Sequence, residues 1–219
     1  MIFHCMFEQS GTFKNEFKKL GFEAYDYDIL NDFNETDYVI DLFQEIENSF
    51  SGGVSIFDKI KKEDIILAFF PCVRFEDQIL LWFQGNENNL KNKSDLDKLE
   101  KDLELHKELH YNYCLITKLA IICLRKGLKL MIENPKGSQH YLNRYWAIKP
   151  KIIDDDRRLM GDFYKKPTQY WFFNFEPSYN FILEGYDVKP KKLISNQNKV
   201  ERSIISSDYA NRFIREFLL

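Results

Sequence analysis

Apolar residues along this chain switch repeatedly between strand-like and helix-like spacing. Residues 2–7 form a short apolar run. A Gln9-Ser10-Gly11 turn follows, and then Phe13, Phe17 and Leu20 recur at helical intervals. Gly21 is a natural helix stop. Residues 22–27 return to a strand pattern that ends at Asp28, and residues 37–40 form a shorter one ending at Asp41. Residues 42–50 and 55–60 read as helical, with Gly52-Gly53 between them. The most continuous apolar run is 64–70, Asp-Ile-Ile-Leu-Ala-Phe-Phe, which predicts a buried strand. Pro71 ends it, and Cys72 is presented by a backbone that the proline makes rigid.

The second half continues the alternation. Residues 85–93 are a loop rich in Asn, Lys and Glu. Ser94 and Asp97 have capping-box spacing and open a long helix to Leu124. Its first half is amphipathic through Leu99, Leu103 and Leu109. Its second half, 115–124, is apolar nearly all round and should pack on a sheet. Gly127 ends it. A strand over 128–132 stops at Glu133-Asn134-Pro135, a short helix is expected over 139–146, a strand over 169–173 and an amphipathic helix over 207–219. Strand–helix alternation of this kind predicts a Rossmann-like α/β domain spanning 1–219, a doubly wound and mostly parallel sheet with helices on both faces. Right-handed crossovers then bring the strand ends to one rim. Four of those ends carry chemistry: Gln9-Ser10-Gly11, Asp28, Cys72 and Glu133.

Composition narrows the class. Apolar residues make up 44% and aromatic residues 16%, with 20 Phe and 12 Tyr, which is ample for a core. The net charge is −3, so a nucleic-acid partner would have to be met by a local patch and not by global basicity. Cys5, Cys72, Cys114 and Cys123 lack the close pairing of a zinc site, and a chain of this size needs no disulfide staples. No metal is expected. The first residues lack a basic, cleavable leader, and no apolar run reaches membrane-spanning length, so a reduced, cytoplasmic setting without a membrane partner is expected.

On these motifs the chain resembles a cytosine-5 DNA methyltransferase in reduced form. Phe7-Glu8-Gln9-Ser10-Gly11 stands where that family has its glycine-rich turn for S-adenosylmethionine, Asp28 at the ribose-binding acid and Asp41 near the adenine-binding acid. Phe70-Pro71-Cys72 matches the Pro-Cys nucleophile motif, Glu133-Asn134-Pro135 the Glu-Asn-Val motif, and Asp208-Tyr209-Ala210-Asn211-Arg212 the closing helix that returns to the cofactor. The resemblance implies the S-adenosylmethionine-dependent methyltransferase fold. It assigns Cys72 and Glu133 to catalysis and Phe7, Gln9, Ser10, Gly11, Asp28, Asp41, Pro71 and Asn211 to the cofactor. Asn134, Lys165, Lys166 and Thr168 go to a DNA or cytosine-nucleotide substrate.

The implied chemistry explains the residue types. Carbon-5 of cytosine is too poor a nucleophile to attack a methyl sulfonium until a thiolate adds at carbon-6. Cys72 would be that thiolate, and Glu133 would hold the N3 and amine edge of a base reached outside the stack. The sequence departs from the family in several places. It has one glycine in the cofactor turn, Val73 after the cysteine and Pro135 after Asn134. Tyr164-Lys165-Lys166-Pro167-Thr168-Gln169 stands where the family has Gln-Arg-x-Arg. Between Phe173 and Ser206 the chain is too short for a separate domain that reads base sequence, so a protein partner supplying target specificity is one expectation. Two other readings stay open: an enzyme acting on a free pyrimidine nucleotide, and a non-catalytic module that keeps the fold.

Overall fold

The computed structural model describes residues 1–76, 81–182 and 204–219. Its sheet contains β1 (Ile2–Met6), β2 (Glu23–Asp28), β3 (Tyr38–Val39), β4 (Ile65–Phe69), β5 (Lys129–Pro135), β6 (Ile152–Asp154) and β7 (Thr168–Phe173), in the order β3-β2-β1-β4-β5-β7-β6. β3, β2, β1, β4 and β5 pair in parallel. β7 runs antiparallel to both β5 and β6. The fold is thus Rossmann-like α/β, with a doubly wound, mostly parallel sheet.

Strand side chains alternate between two cores, as a pleat of period two requires. Phe3, Cys5, Ile65, Leu67, Met131, Tyr170 and Phe172 face one side. There they pack on Phe13 and Phe17 of α1 (Thr12–Lys19) and on Tyr209 and Phe213 of α6 (Ser207–Phe213). Met6, Ile66, Ala68, Ile132 and Trp171 face the other side. They meet Leu42 and Ile46 of α2 (Leu42–Phe50) and Leu115, Ile116, Leu119 and Cys123 of α4 (Asp95–Lys126). Each such large apolar side chain taken out of water contributes about 1.5–3 kcal/mol before entropy is counted.

Local chemistry sets the ends. Asp41 caps α2 by accepting from the Phe43 and Gln44 amides at 3.0 and 3.2 Å. Ser94 and Asp97 form the capping box that opens α4, and Gly127, with φ of 69°, closes it in the left-handed region that suits glycine.

Several expectations are corrected. Residues 55–60 make only a 3₁₀ turn at Ile56–Asp58, because Ser55 and Asp58 close a capping box over three residues. The helix at 139–146 shrinks to α5 (Tyr141–Tyr145). The last helix widens into a π turn at Ile214–Leu218. In α4 the buried stripe runs through Leu105 and Leu109, which leaves Leu99 and Leu103 exposed on the opposite side. Strand β6 was not anticipated: three residues ending in an acid carry no periodicity of their own. The span judged too short for a sequence-reading domain falls largely on 183–203, outside the described residues. No helix among the described residues is long and apolar enough to cross a membrane.

Candidate functional site

Parallel pairing fixes which residues share the carboxyl rim. Tyr27, Met6, Ala68 and Ile132 lie in one register row across β2, β1, β4 and β5. One step further along come Asp28, Phe7, Phe69 and Glu133, with Phe69 opposite Glu133. Beyond Phe69 the chain turns at Pro71, and the Cys72 carbonyl accepts from the Phe75 and Glu76 amides at 2.9 and 3.1 Å to start α3 (Val73–Glu76). Cys72 is half-buried and Glu133 is buried. Cys72 and Glu133 therefore stand at neighbouring strand ends on one rim.

Asn134 ties those ends together. Its side-chain amide donates to the carbonyls of Phe70 at 2.9 Å and Glu133 at 2.7 Å, and its oxygen lies 3.2 Å from His140 Nε2. The resemblance gave Asn134 to the substrate; its bonds make it the clamp on the Pro71-Cys72 turn. His140 is fully buried, and burial lowers its pKa to about 4, so it is a neutral ring at neutral pH.

The start of β7 brings Lys166 to the pair. Thr168 pairs with Pro135 in register, its hydroxyl donates to the Lys166 carbonyl at 2.7 Å, and the Lys136 amide donates to Pro167 O at 2.7 Å. Thr168 is buried, so it positions Lys166 from beneath. Lys165 is exposed, and its charge acts on Asp156 instead.

The charges explain the titration of the pair. Burial pushes the Cys72 thiol up to about 11. Lys166 pulls it down, while Glu133 and Glu76 push it further up. Burial also raises Glu133; Lys166 and Arg157 oppose that rise and Asp162 adds to it. Cys72, Lys166 and Glu133 thus lie within electrostatic reach of one another.

Sequence reasoning missed the shell behind Glu133. Arg157 is 1% exposed, ion-pairs with Asp162, and sits 4.5 Å over the Tyr209 ring. The Tyr209 hydroxyl meets Tyr170 Oη at 2.6 Å and Asp154 at 3.0 Å, and Tyr170 lies opposite Glu133 across the β5–β7 ladder. In sequence, Asp156-Arg157-Arg158 looks like a wet turn; only Gly161, five residues before Lys166 and with φ of 94°, hints at a tight return there.

At the other end of the rim most polar groups are engaged within the chain, and Glu8 Oε2 is a buried exception without a hydrogen-bond partner among the described residues. Phe7 takes a left-handed φ of 60° and donates its amide to Tyr27 O at 2.8 Å. Glu8, buried, accepts from the Phe13 amide at 2.8 Å at the start of α1, and burial raises it to about 7. Gln9 accepts from the Asp32 amide at 3.2 Å, and Ser10 lies 3.0 Å from the Thr12 hydroxyl. Gly11 has φ of 65°, and a Cβ there would stand 2.9 Å from a Glu35 carboxylate oxygen, so only glycine fits beneath that side chain. Lys14, buried beneath, pairs with Asp26 at 3.1 Å and Asp37 at 3.5 Å. Asp28 accepts from the Leu30 amide at 2.9 Å, and burial raises its pKa.

Two residues assigned to the cofactor have other work. Asp41 caps α2, and Asn211 donates to Glu16 of α1 at 3.1 Å, which joins α6 to α1. The structure therefore brings Phe7, Asp28, Pro71, Cys72 and Glu133 together along the rim and holds Asn211 on the helix layer.

A scan of the chain against protein-family models gives no match, and a search of curated proteins gives none either.

Proposed function

We propose that this protein is an S-adenosylmethionine-dependent methyltransferase acting on carbon-5 of cytosine through a covalent Cys72 adduct. The observation that carries the reading is the meeting of Cys72 and Glu133 at adjacent ends of β4 and β5, with Lys166 acting on both.

Cysteine reactivity needs the thiolate, and Cys72 rests as a thiol. The same burial raises the affinity of the ionised Glu133 carboxylate for a proton, which suits it to accept one. When a cytosine enters, the Cys72 proton passes to Glu133 and the Lys166 charge supports the thiolate left behind. Sulfur then bonds to carbon-6 while Glu133 donates its proton to N3, so the ring becomes an enamine with no net charge lost. A bound S-adenosylmethionine would supply the methyl group to carbon-5 and leave as its neutral thioether, and the carbon-5 proton would then go to solvent. The sulfur–carbon-6 bond then breaks as N3 returns its proton to Glu133.

The residues at the other end fit an adenosyl group. Asp28 offers a carboxylate to ribose hydroxyls, and Ile29 and Leu30 beside it are 60% and 49% exposed, apolar surface on which an adenine ring could lie. S-adenosylmethionine, when bound, supplies the electrophilic methyl. Purified protein incubated with labelled S-adenosylmethionine and single-stranded DNA, duplex DNA or deoxycytidine monophosphate should label cytosine, and Cys72→Ala should abolish the label. Protein that binds the cofactor and labels none of the three would contradict the reading.

A second reading, a binding module without turnover, is favoured by the extent to which Gln9, Ser10 and Asp41 are engaged within the chain. It predicts no change in S-adenosylmethionine by calorimetric titration and no cellular effect of Cys72→Ala.

A further inference from the structure

An open cleft of about 480 Å³ lies between α4, α5 and the segment from Leu81 onward. Tyr141 and Tyr145 of α5 form one wall, with ring centroids 4.7 Å apart. His106 and His110, one turn apart on α4, form the other, and Phe83 meets His106 edge-on at 5.0 Å. Leu109 is the floor and is buried. Tyr145 is 61% exposed, so a ring face is offered to whatever enters.

This cleft is joined to the thiol by a short rigid path. α3 begins at Cys72, its last residue Glu76 lies 3.7 Å from His140 Nε2, and His140 immediately precedes Tyr141. His140 is in turn bonded to Asn134, which holds the Phe70 carbonyl. One buried imidazole thus anchors both the α5 wall and the turn that presents Cys72.

The lining indicates what enters. Walls of aromatic rings suit flat π-faces of any identity, and Gln84 adds a polar side chain to the lining. Charges of both signs flank the cleft in sequence. Arg144 lies between the two tyrosines on α5 and Lys107 beside His106, both exposed, and neither makes an ion pair among the described residues. Nearby acids are paired: Asp102 with His106 at 3.5 Å and Glu108 with Arg74. Stacking surfaces with unpaired cations at the edge fit a base with its attached phosphate. The volume exceeds the lower bound of small-ligand sites, about 300 Å³.

Resting on the reading above, we propose that this cleft is a second nucleobase site, which takes a nucleotide flanking the target cytosine in single-stranded nucleic acid. It makes an oligonucleotide, and not a free nucleotide, the substrate. It also supplies affinity without base-sequence readout.

The test is direct binding, measured by fluorescence anisotropy with Cys72→Ser protein and labelled single strands of one, two, three and six nucleotides containing one cytosine. The wild-type cleft predicts a step in affinity when the second base is added, of about five- to a hundredfold for one stacked base. Tyr145→Ala should remove that step and Tyr145→Phe should keep it. The exposed position makes misfolding an unlikely confounder, and an unchanged melting temperature checks this. Affinity that rises smoothly with length and is indifferent to Tyr145→Ala overturns the inference, as does failure of the Cys72→Ser protein to bind any strand. A step abolished by Tyr145→Ala in a protein that transfers no methyl group upholds the cleft and counts against the methyltransferase reading alone.

Discussion

The two ends of the strand rim solve opposite problems. Around β1 and β2, most polar groups are matched by the chain itself. Glu8 takes an α1 amide, Gln9 the Asp32 amide, Asp28 the Leu30 amide, and Lys14 ties α1 to Asp26 and Asp37. Around β4 and β5, by contrast, a thiol, a carboxylate and an ammonium share a poorly hydrated corner, with burial pushing both acids toward their neutral forms. The first region is built to stay still and present backbone and a ledge. The second stores titratable groups in an arrangement a ligand can tip, a common mark of reactive sites. On the proposed function, this contrast would put chemistry at Cys72 and holding at Asp28.

The largest expected effect breaks the reactive end. Cys72→Ala should reduce methyl transfer by at least about a thousandfold, since no other group replaces a covalent nucleophile. Next is Glu133→Gln. Loss of a group that stabilises developing charge typically costs on the order of a hundred- to a thousandfold in rate. The same substitution removes a negative charge that raises the thiol, so alkylation of Cys72 by iodoacetamide at pH 8 should become faster while catalysis falls. Lys166→Met should do the reverse to alkylation, because it removes the charge that lowers the thiol. If both substitutions leave alkylation unchanged, the electrostatic coupling of the three residues is wrong.

The quiet end gives smaller effects, read in stability. Glu8 has its folded pKa raised from 4.5 to about 7. The folded state therefore holds a proton that the unfolded state has lost between those values, and stability falls as pH rises from about 4.5 to about 7, then levels off. Glu8→Gln should match wild type below pH 4.5 and exceed it above pH 7, by up to about 3 kcal/mol from the size of the shift. Denaturant melts at pH 4.5 and pH 8 test this; an equal difference at both would sink it. Asp41→Ala should cost about 1 kcal/mol as a lost helix cap. If Asp41 instead contacts ligand, the variant would also lose S-adenosylmethionine affinity, which would sharpen the division between the two ends.

Much of this was legible in the chain because local rules and tertiary context agreed. Pro71 had to end β4, Ser94 and Asp97 had to open α4, and Gly127 had to close it. Pairing of β4 with β5 then followed from two apolar runs ending in chemistry. Illegible features depended on partners distant in sequence. Arg157 is charged and reads as surface, yet Asp162, Tyr209 and the β7 edge bury it. Asn134 reads as a substrate contact, yet the Phe70 carbonyl across β4 claims its amide. Asn211 reads as a cofactor contact, yet Glu16 lies beneath it once α6 docks on α1. β6 is too short for any period to mark it, and exists because β7 offers it a ladder.

The most direct measurement is covalent trapping. A single-stranded oligonucleotide carrying 5-fluorocytosine has no carbon-5 proton to release, so an adduct formed by sulfur addition and methylation persists. With S-adenosylmethionine present, mass spectrometry of the digested protein should find the oligonucleotide, one methyl group heavier, on the peptide containing Cys72, and Cys72→Ala should leave none. An adduct on Cys5, Cys114 or Cys123, or no adduct from protein shown to bind both ligands, would contradict the account.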